Sequence, residues 1–184
     1  MKQKQRKNKT KKVLLGICGS IAAFKSCEII RHLREKGCHV KCILTDAGQK
    51  FITPLTLREL CCDEVFTEMF PDKIKYKAEH ITLSDWADII VIAPATATTI
   101  AKLACGIADN LLTATVMASK SPVLICPAMN ENMWNNPANQ NNVERLKKFG
   151  YHFLGPEVGN LSCGKEGIGR LCEVSKILKK IFLI

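Results

Sequence analysis

A glycine, a hydroxyl and three small or apolar residues stand together at Gly19-Ser20-Ile21-Ala22-Ala23. At the N-terminus of a helix such a segment offers backbone N–H groups and a side-chain oxygen to an anion, and it suits a phosphate monoester. Simple N-capping by Ser20 accounts for the same residues. The spacing is neither GxGxxG nor a P-loop, so it does not point to a dinucleotide or to a nucleoside triphosphate. A second cluster, Thr96-Ala97-Thr98-Thr99, can add hydroxyl donors, as can Thr45. Together these residues fit a mononucleotide with one phosphate better than a dinucleotide.

A third segment, Cys126 to Pro137, sets Met129, Met133 and Trp134 among amides that include Asn130, directly after Ala128. Apolar groups in a polar loop mean either a loop folded back on the core or a surface that binds something. The ten cysteines contain no CxxC pair, so neither zinc nor thioredoxin chemistry is indicated and no metal is expected. Cys18, Cys27, Cys42, Cys105 and Cys126 fall inside apolar patterns and read as reduced core thiols. Cys163 stands apart, next to Ser162 in a glycine-rich stretch. His32, His39 and His152 sit in helix or strand patterns, and His80 on its own carries no signal.

These residues need elements to hold them. Val13 to Cys18 is an apolar run of strand length, broken by Gly19-Ser20 ahead of an amphipathic helix predicted over 21–36. In that helix Ala23, Cys27, Ile30 and Leu33 share a face, and Gly37 supplies the stop. His39 to Thr45 reads as a strand, and Thr53-Pro54 as a cap and first residue of a helix through Leu60. Residues 61–79 show no period. Ile89 to Ala93 is continuously apolar, as a central parallel strand covered on both faces would be, and Pro94 is expected to end it. Helices are predicted from Thr98 to Leu103 and from Leu111 to Ala118, then a strand from Val123 to Cys126. A helix after Asn136-Pro137 turns Val143, Leu146 and Phe149 inward, and Tyr151 to Leu154 makes a last strand. Residues 155–169 read as a loop, and Val174 to Phe182 as a closing helix.

Strands alternating with helices imply an α/β, doubly wound parallel sheet of Rossmann-like or flavodoxin-like type in a single domain. Ligands of such sheets bind beyond the carboxyl ends of the strands, where Gly19-Ser20, Thr45, Thr96 to Thr99 and Ala128 to Asn130 all fall.

The chain has 184 residues and a formal charge of +10, with 47% hydrophobic and 24% charged residues. That length favours one domain, and that composition excludes a wholly disordered chain. Residues 1–12 hold seven of the 27 basic side chains and no acid, which leaves 20 against 17 acidic groups, a net +3, for residues 13–184. The charge therefore belongs to a basic arm, 1–12, expected to be disordered, and not to a nucleic-acid-binding face. No apolar run approaches the roughly 20 residues of a membrane span, and no apolar segment follows the basic start as in a secretory signal. A soluble, cytoplasmic protein is expected, with neither membrane nor nucleic acid as partner.

The segment Pro127 to Trp134, PAMNENMW, resembles the substrate-binding motif of the flavin-containing cysteine decarboxylases. So, in order, do Gly19 to Ala23, Phe51 to Leu55, His80-Ile81, Trp86 to Asp88, Ala93 to Thr96, Gly155-Pro156, Ser162 to Gly164 and Gly167 to Arg170. The resemblance runs from about Lys12 to Glu173, and the branch acting on phosphopantothenoylcysteine in coenzyme A biosynthesis is the most similar. It implies FMN as cofactor, held by Gly19, Ser20, Ile21, Thr45, Thr96, Ala97, Thr98, Thr99 and Ala128. It further implies Asn130 on the substrate carboxylate with Met129, Met133 and Ser162 around it, and His80 and Cys163 as catalytic residues. FMN would oxidise the substrate transiently to a thioaldehyde, which stabilises the carbanion left by carbon dioxide, and Cys163 would return a proton as the hydride comes back. The family also implies a homo-oligomer, a trimer or a multiple of trimers, with the flavin site between subunits. A separate ligase is expected for the preceding step. Relatives that modify antibiotic peptides at a cysteine, or that serve as flavin-binding regulatory subunits, are the alternatives. Ser162 stands where the family commonly has alanine, and Lys165 where it often has an acid.

Overall fold

The computed structural model describes residues 10–70, 78–160, 164 and 166–184. Six parallel strands form one sheet: β1 (Lys12–Ile17), β2 (His39–Leu44), β3 (Val65–Phe66), β4 (Ile89–Ala95), β5 (Val123–Pro127) and β6 (His152–Phe153). Their spatial order is β3-β2-β1-β4-β5-β6, so the chain runs outward from β1 to one edge and then returns to build the other. The predicted doubly wound sheet is present, with its topological switch between β1 and β4.

The helices that connect these strands are α1 (Lys25–Glu35), α2 (Pro54–Cys61), α3 (Glu79–Trp86), α4 (Ala97–Cys105), α5 (Leu111–Ala118), α6 (Glu131–Asn135), α7 (Pro137–Lys148) and α8 (Val174–Leu183). Side chains of β1 alternate between the two faces of the sheet, as strand geometry requires. Val13, Leu15 and Ile17 pack with Ile29, Leu33, Ile177 and Ile181 on one face. Leu14 packs with Ile92, Leu112 and Leu146 on the other. Gly16 also faces that side, where an added Cβ would lie 2.5 Å from Leu112 Cδ1, so the close approach of α5 needs glycine.

Several boundaries differ from the sequence reading. The predicted helix over 21–36 opens as a 3-10 turn, Ile21–Phe24, and only then becomes α1. Pro94 does not end β4. The register with β5 shifts between Ile92 and Ala95, so the ladder is interrupted where a residue without an N–H stands, while the Pro94 carbonyl still accepts from Cys18 N at 3.2 Å. Lys12, assigned to the arm, opens β1, and Lys11 Nζ donates to the Ile181 carbonyl at 2.6 Å. Phe149 does not turn inward: it caps α7, 58% exposed, with the Arg145 guanidinium 5.6 Å from its ring centre. Cys105, at the last residue of α4, is exposed and Cys27 is half-buried, so neither is a core thiol. All nine described cysteines are free.

β3 adds an edge strand inside the stretch 61–79 that showed no period, and α3, over residues given no element in the sequence reading, packs against α5. The glycine-rich stretch 155–169 is no plain loop either. It carries an antiparallel hairpin of β7 (Glu157–Asn160) and β8 (Glu166–Arg170), with Gly159 opposite Gly167.

Candidate functional site

At the switch point β1 and β4 end side by side, and the segments leaving them diverge. Gly19 lets the β1 exit lie against the turn after β2: an added Cβ would meet Ala47 Cβ at 2.5 Å and the Ala47 carbonyl carbon at 2.9 Å. Ser20 then takes an extended conformation and caps the 3-10 turn, its Oγ accepting from Ala22 N at 3.3 Å. Thr96 does the same for α4, accepting from Thr99 N at 3.4 Å. Both hydroxyls thus sit at strand ends because each begins the next helical segment.

Two cavities meet here, sharing Gly19, Thr96 and Met133. The first, about 560 Å³, is lined by Ser20, Ile21, Ala97, Ala128, Met129 and Asn130 as well as by the shared residues. The second, about 690 Å³, takes in Thr45, Thr98 and Thr99 together with Asp46, Lys102, Asp109 and Asn110. The structure therefore gathers every described member of the predicted cofactor and substrate sets, but divides them between an apolar chamber and a polar one.

Within the polar chamber the groups are already organised. Thr45 Oγ1 accepts from Gly48 N at 3.1 Å and lies 3.3 Å from the Ile17 carbonyl, to which it donates. Thr99 Oγ1 lies 3.2 Å from Cys18 Sγ and 3.3 Å from Thr96 Oγ1. Burial pushes the Cys18 thiol up despite that hydroxyl, so near neutral pH it is a neutral packing group and no nucleophile. Lys102 Nζ holds Asp109 Oδ2 at 2.7 Å, and this pairing lowers the Asp109 pKa.

The far wall of the apolar chamber comes from the segment after β5. Ala128 N donates to the Ala95 carbonyl and Met129 N to the Gly169 carbonyl, each at 3.0 Å, so the chain stays parallel to β4 before turning into α6. Asn130 caps α6, its Oδ1 accepting from Asn132 N at 2.9 Å. That leaves Nδ2 as its donor at the cavity. Residues that sequence reasoning missed close the rest: Phe24, Lys25, Phe51, Asn160 and Arg170. Phe51 and Arg170 lay inside recognised motifs, Phe51 to Leu55 and Gly167 to Arg170, whereas nothing local to Asn160 placed it in the same cavity as Ser20.

His80 is in the first turn of α3, half-buried, and lines neither cavity. Ser162, Cys163 and Lys165 lie outside the described residues. Among the described residues no cluster of His, Cys, Asp or Glu could hold a metal ion, and no helix is long and apolar enough to cross a membrane.

The chamber pair fits a flavin mononucleotide on its own chemistry. Hydroxyls of Ser20, Thr45, Thr96 and Thr98 suit a phosphate and a polyol chain, and Ile21, Ala97 and Ala128 leave a smooth apolar surface for a flat ring.

A fold and site of this kind define a class, and the comparisons agree. The Flavoprotein family model matches residues 1–183, and the chain belongs to that family. The coenzyme A biosynthesis bifunctional protein CoaBC of Bacillus subtilis is 44% identical over 167 residues, 91% of this chain and 41% of that protein. The chain thus spans less than half the length of this bifunctional relative. A probable phosphopantothenoylcysteine decarboxylase of Streptococcus mutans is 40% identical over 174 residues, 94% of this chain and 97% of that protein. Among solved structures, a PPC decarboxylase mutant complexed with pantothenoylaminoethenethiol superposes with a TM-score of 0.84 at 32% identity, covering 95% of this chain and 98% of that one. The FMN-dependent cysteine decarboxylase SpaF gives 0.83 at 31%, covering 94% and 95%.

Proposed function

We propose that the protein is an FMN-dependent phosphopantothenoylcysteine decarboxylase serving coenzyme A biosynthesis in the cytoplasm. The observation that carries this reading is the meeting of the Met129-Asn130-Met133 wall with the Ser20 and Thr96 strand ends in one cavity. A carboxylate-reading amide then faces a mononucleotide cradle across a space sized for both partners.

Bound in the cradle, FMN supplies a reversible two-electron sink, which the carboxylate of an acylated cysteine lacks. The chain's own residues do the rest. Ser20, Thr45 and the Thr96–Thr99 turn hold the phosphate and polyol, and Ile21, Ala97 and Ala128 exclude water from the ring. Asn130 Nδ2 donates to the substrate carboxylate, fixing the bond that breaks, while Met129 and Met133 form an apolar wall that favours loss of the charged group as neutral carbon dioxide. Cys163, with Ser162 beside it, supplies the proton to the substrate carbon at the end of the cycle. His80 acts as base or electrostatic partner at the reacting thiol or carboxylate.

The rim of the apolar chamber is itself apolar: Ile21, Phe24 and Phe51 are 57%, 60% and 49% exposed, with Leu55 nearby in sequence at 58%. A second copy of the chain is the occupant that suits this rim, in a trimer or a multiple of trimers whose neighbouring subunit brings His80 to the site. The preceding ligation of cysteine is assigned to a separate ligase, and neither a membrane nor nucleic acid enters the scheme.

The test is direct. Purified protein should be yellow, release FMN on denaturation, and convert phosphopantothenoylcysteine to phosphopantetheine, read by mass spectrometry. A peptide ending in cysteine, offered in parallel, should remain unchanged. Protein that takes up no FMN, or that decarboxylates only the peptide, would overturn the assignment.

A further inference from the structure

Asn139 sits in the first turn of α7, 6% exposed, in a sequence of amides that otherwise faces water. Its Nδ2 donates to the Trp134 carbonyl at 3.1 Å and to the Met129 thioether sulfur at 3.7 Å. Its Oδ1 is buried and has no partner among the described residues. Exchanging the two amide atoms would set Oδ1 against the Trp134 carbonyl, acceptor against acceptor, so the orientation is fixed by that contact.

Folding alone does not call for this amide. Gln140 Nε2 also donates to the Trp134 carbonyl, at 2.5 Å, so that oxygen would keep a partner without Asn139. A buried acceptor with no partner weakens the folded state, and an apolar side chain of similar shape would avoid the penalty. The backbone of the segment that carries Asn130 and Met133 is closed by Trp134 N donating to the Asn130 carbonyl at 2.9 Å, and among the described residues Asn139 is the one whose amide ties the Met129 side chain to Trp134 across it. The Met129 backbone is held separately, by the Gly169 carbonyl. A thioether has free rotation about several bonds, and the contact to Nδ2 selects one placement of the sulfur.

We infer that Asn139 is a positioning residue for substrate recognition: it clamps Met129 and Trp134 so that the Asn130 amide and the methionine wall stand ready before the substrate arrives. This rests on the reading that the wall receives the substrate. Asn139 touches neither substrate nor cofactor, and its effect passes through Met129 and the short α6.

The experiment uses the full chain loaded with FMN and the variant Asn139→Leu, with Asn139→Ala as a second variant should leucine prevent folding. The melting temperature of the leucine variant should hold or rise, since the unpaired acceptor is gone. KM for phosphopantothenoylcysteine should rise about tenfold with kcat within about twofold of the parent, the pattern of lost preorganised binding. A second readout needs no turnover. The chain has two tryptophans, and in a Trp86→Phe background the emission of Trp134 reports the clamp, so it should shift to the red on removal of Asn139. Unchanged KM with unchanged emission overturns the inference, as does a KM rise that merely tracks lost stability or lost FMN. If the parent protein fails to turn over the substrate, the functional assignment falls, and the emission shift alone decides whether Asn139 holds the loop.

Discussion

The two walls of the cavity are built differently. The Ser20 and Thr96 side consists of strand ends, where the β1–β4 ladder and two helical caps hold the backbone. The Met129–Met133 and Arg170 side lies outside the main sheet, on the short helix α6 and the end of the β7–β8 hairpin, and is tied together by few contacts: Met129 N to the Gly169 carbonyl, Asn139 to the Met129 sulfur, and Glu131 against Gly167. A ligand common to all reactions of a fold can rest on the first kind of wall, whereas substrate choice belongs to the second, because there a few side chains can change without disturbing the sheet.

The contrast predicts that damage to the two walls separates cofactor binding from turnover. If Asn130 holds the substrate carboxylate as proposed, Asn130→Asp would set a second carboxylate against it, and like charges at close range repel. Turnover should be abolished while FMN stays bound, read by absorbance and product assay on the same sample. Activity within a few-fold of the parent would remove Asn130 as the anchor. Ser20→Asp should do the converse, repelling the phosphate and yielding folded apoprotein whose circular dichroism matches the parent. Retention of FMN in that variant would shift the phosphate to the Thr45 and Thr98 chamber.

Gly167→Ala probes the side-chain-fixed wall more gently. An added Cβ would lie 2.5 Å from Glu131 Oε2 and 2.9 Å from its carboxyl carbon, and it must displace that side chain. KM should rise several-fold with FMN affinity unchanged, and a companion Glu131→Ala change should restore it by clearing the space. Failure of that rescue would mean that the hairpin and α6 do not share this contact in solution.

How much of this was legible follows the same division. The cradle could be read because Gly19, Thr53-Pro54, Thr96 and the apolar run of β4 punctuate the chain in the language of strand ends and caps, which local chemistry dictates. Pro94 misled only by two residues, since a register shift let the strand continue past it. The pairing of β7 and β8 could not be read: Glu166-Gly167-Ile168-Gly169-Arg170 has too few apolar residues to alternate, and it depends on Glu157 to Asn160 as the partner strand. Asn139 was hidden for a related reason, because a buried amide in Asn135-Asn136-Pro137-Ala138-Asn139-Gln140 looks like its solvated neighbours. His80 shows the limit of both approaches, since the motif names it but the isolated chain leaves it away from either cavity.

The smallest effect should come from the base of the hairpin, where Glu157 ties β7 to β8 and to α8. Its Oε1 accepts from Lys176 Nζ at 2.6 Å and from Cys172 Sγ at 3.1 Å, and its Oε2 lies 3.6 Å from the Arg170 guanidinium. Lys176 first, and the Cys172 thiol next, hold the Glu157 carboxyl down at about 2. Burial, reinforced by that carboxylate, pushes the Cys172 thiol up to about 12, so it stays protonated and keeps donating. A carboxylate with a depressed pKa stabilises the fold at pH values above its unfolded value, and that contribution is lost as pH falls through the folded value. The loss should therefore run from the ordinary carboxylate range down to about pH 2. Because Lys176 is 61% exposed, water and salt screen most of the pairing, and the change in melting temperature should be small. Glu157→Gln should flatten that part of the pH profile and leave FMN affinity at neutral pH unchanged, since the strand-end wall does not depend on the hairpin. A variant that loses FMN as well would show that the two walls are mechanically one, and the division drawn between them would fail.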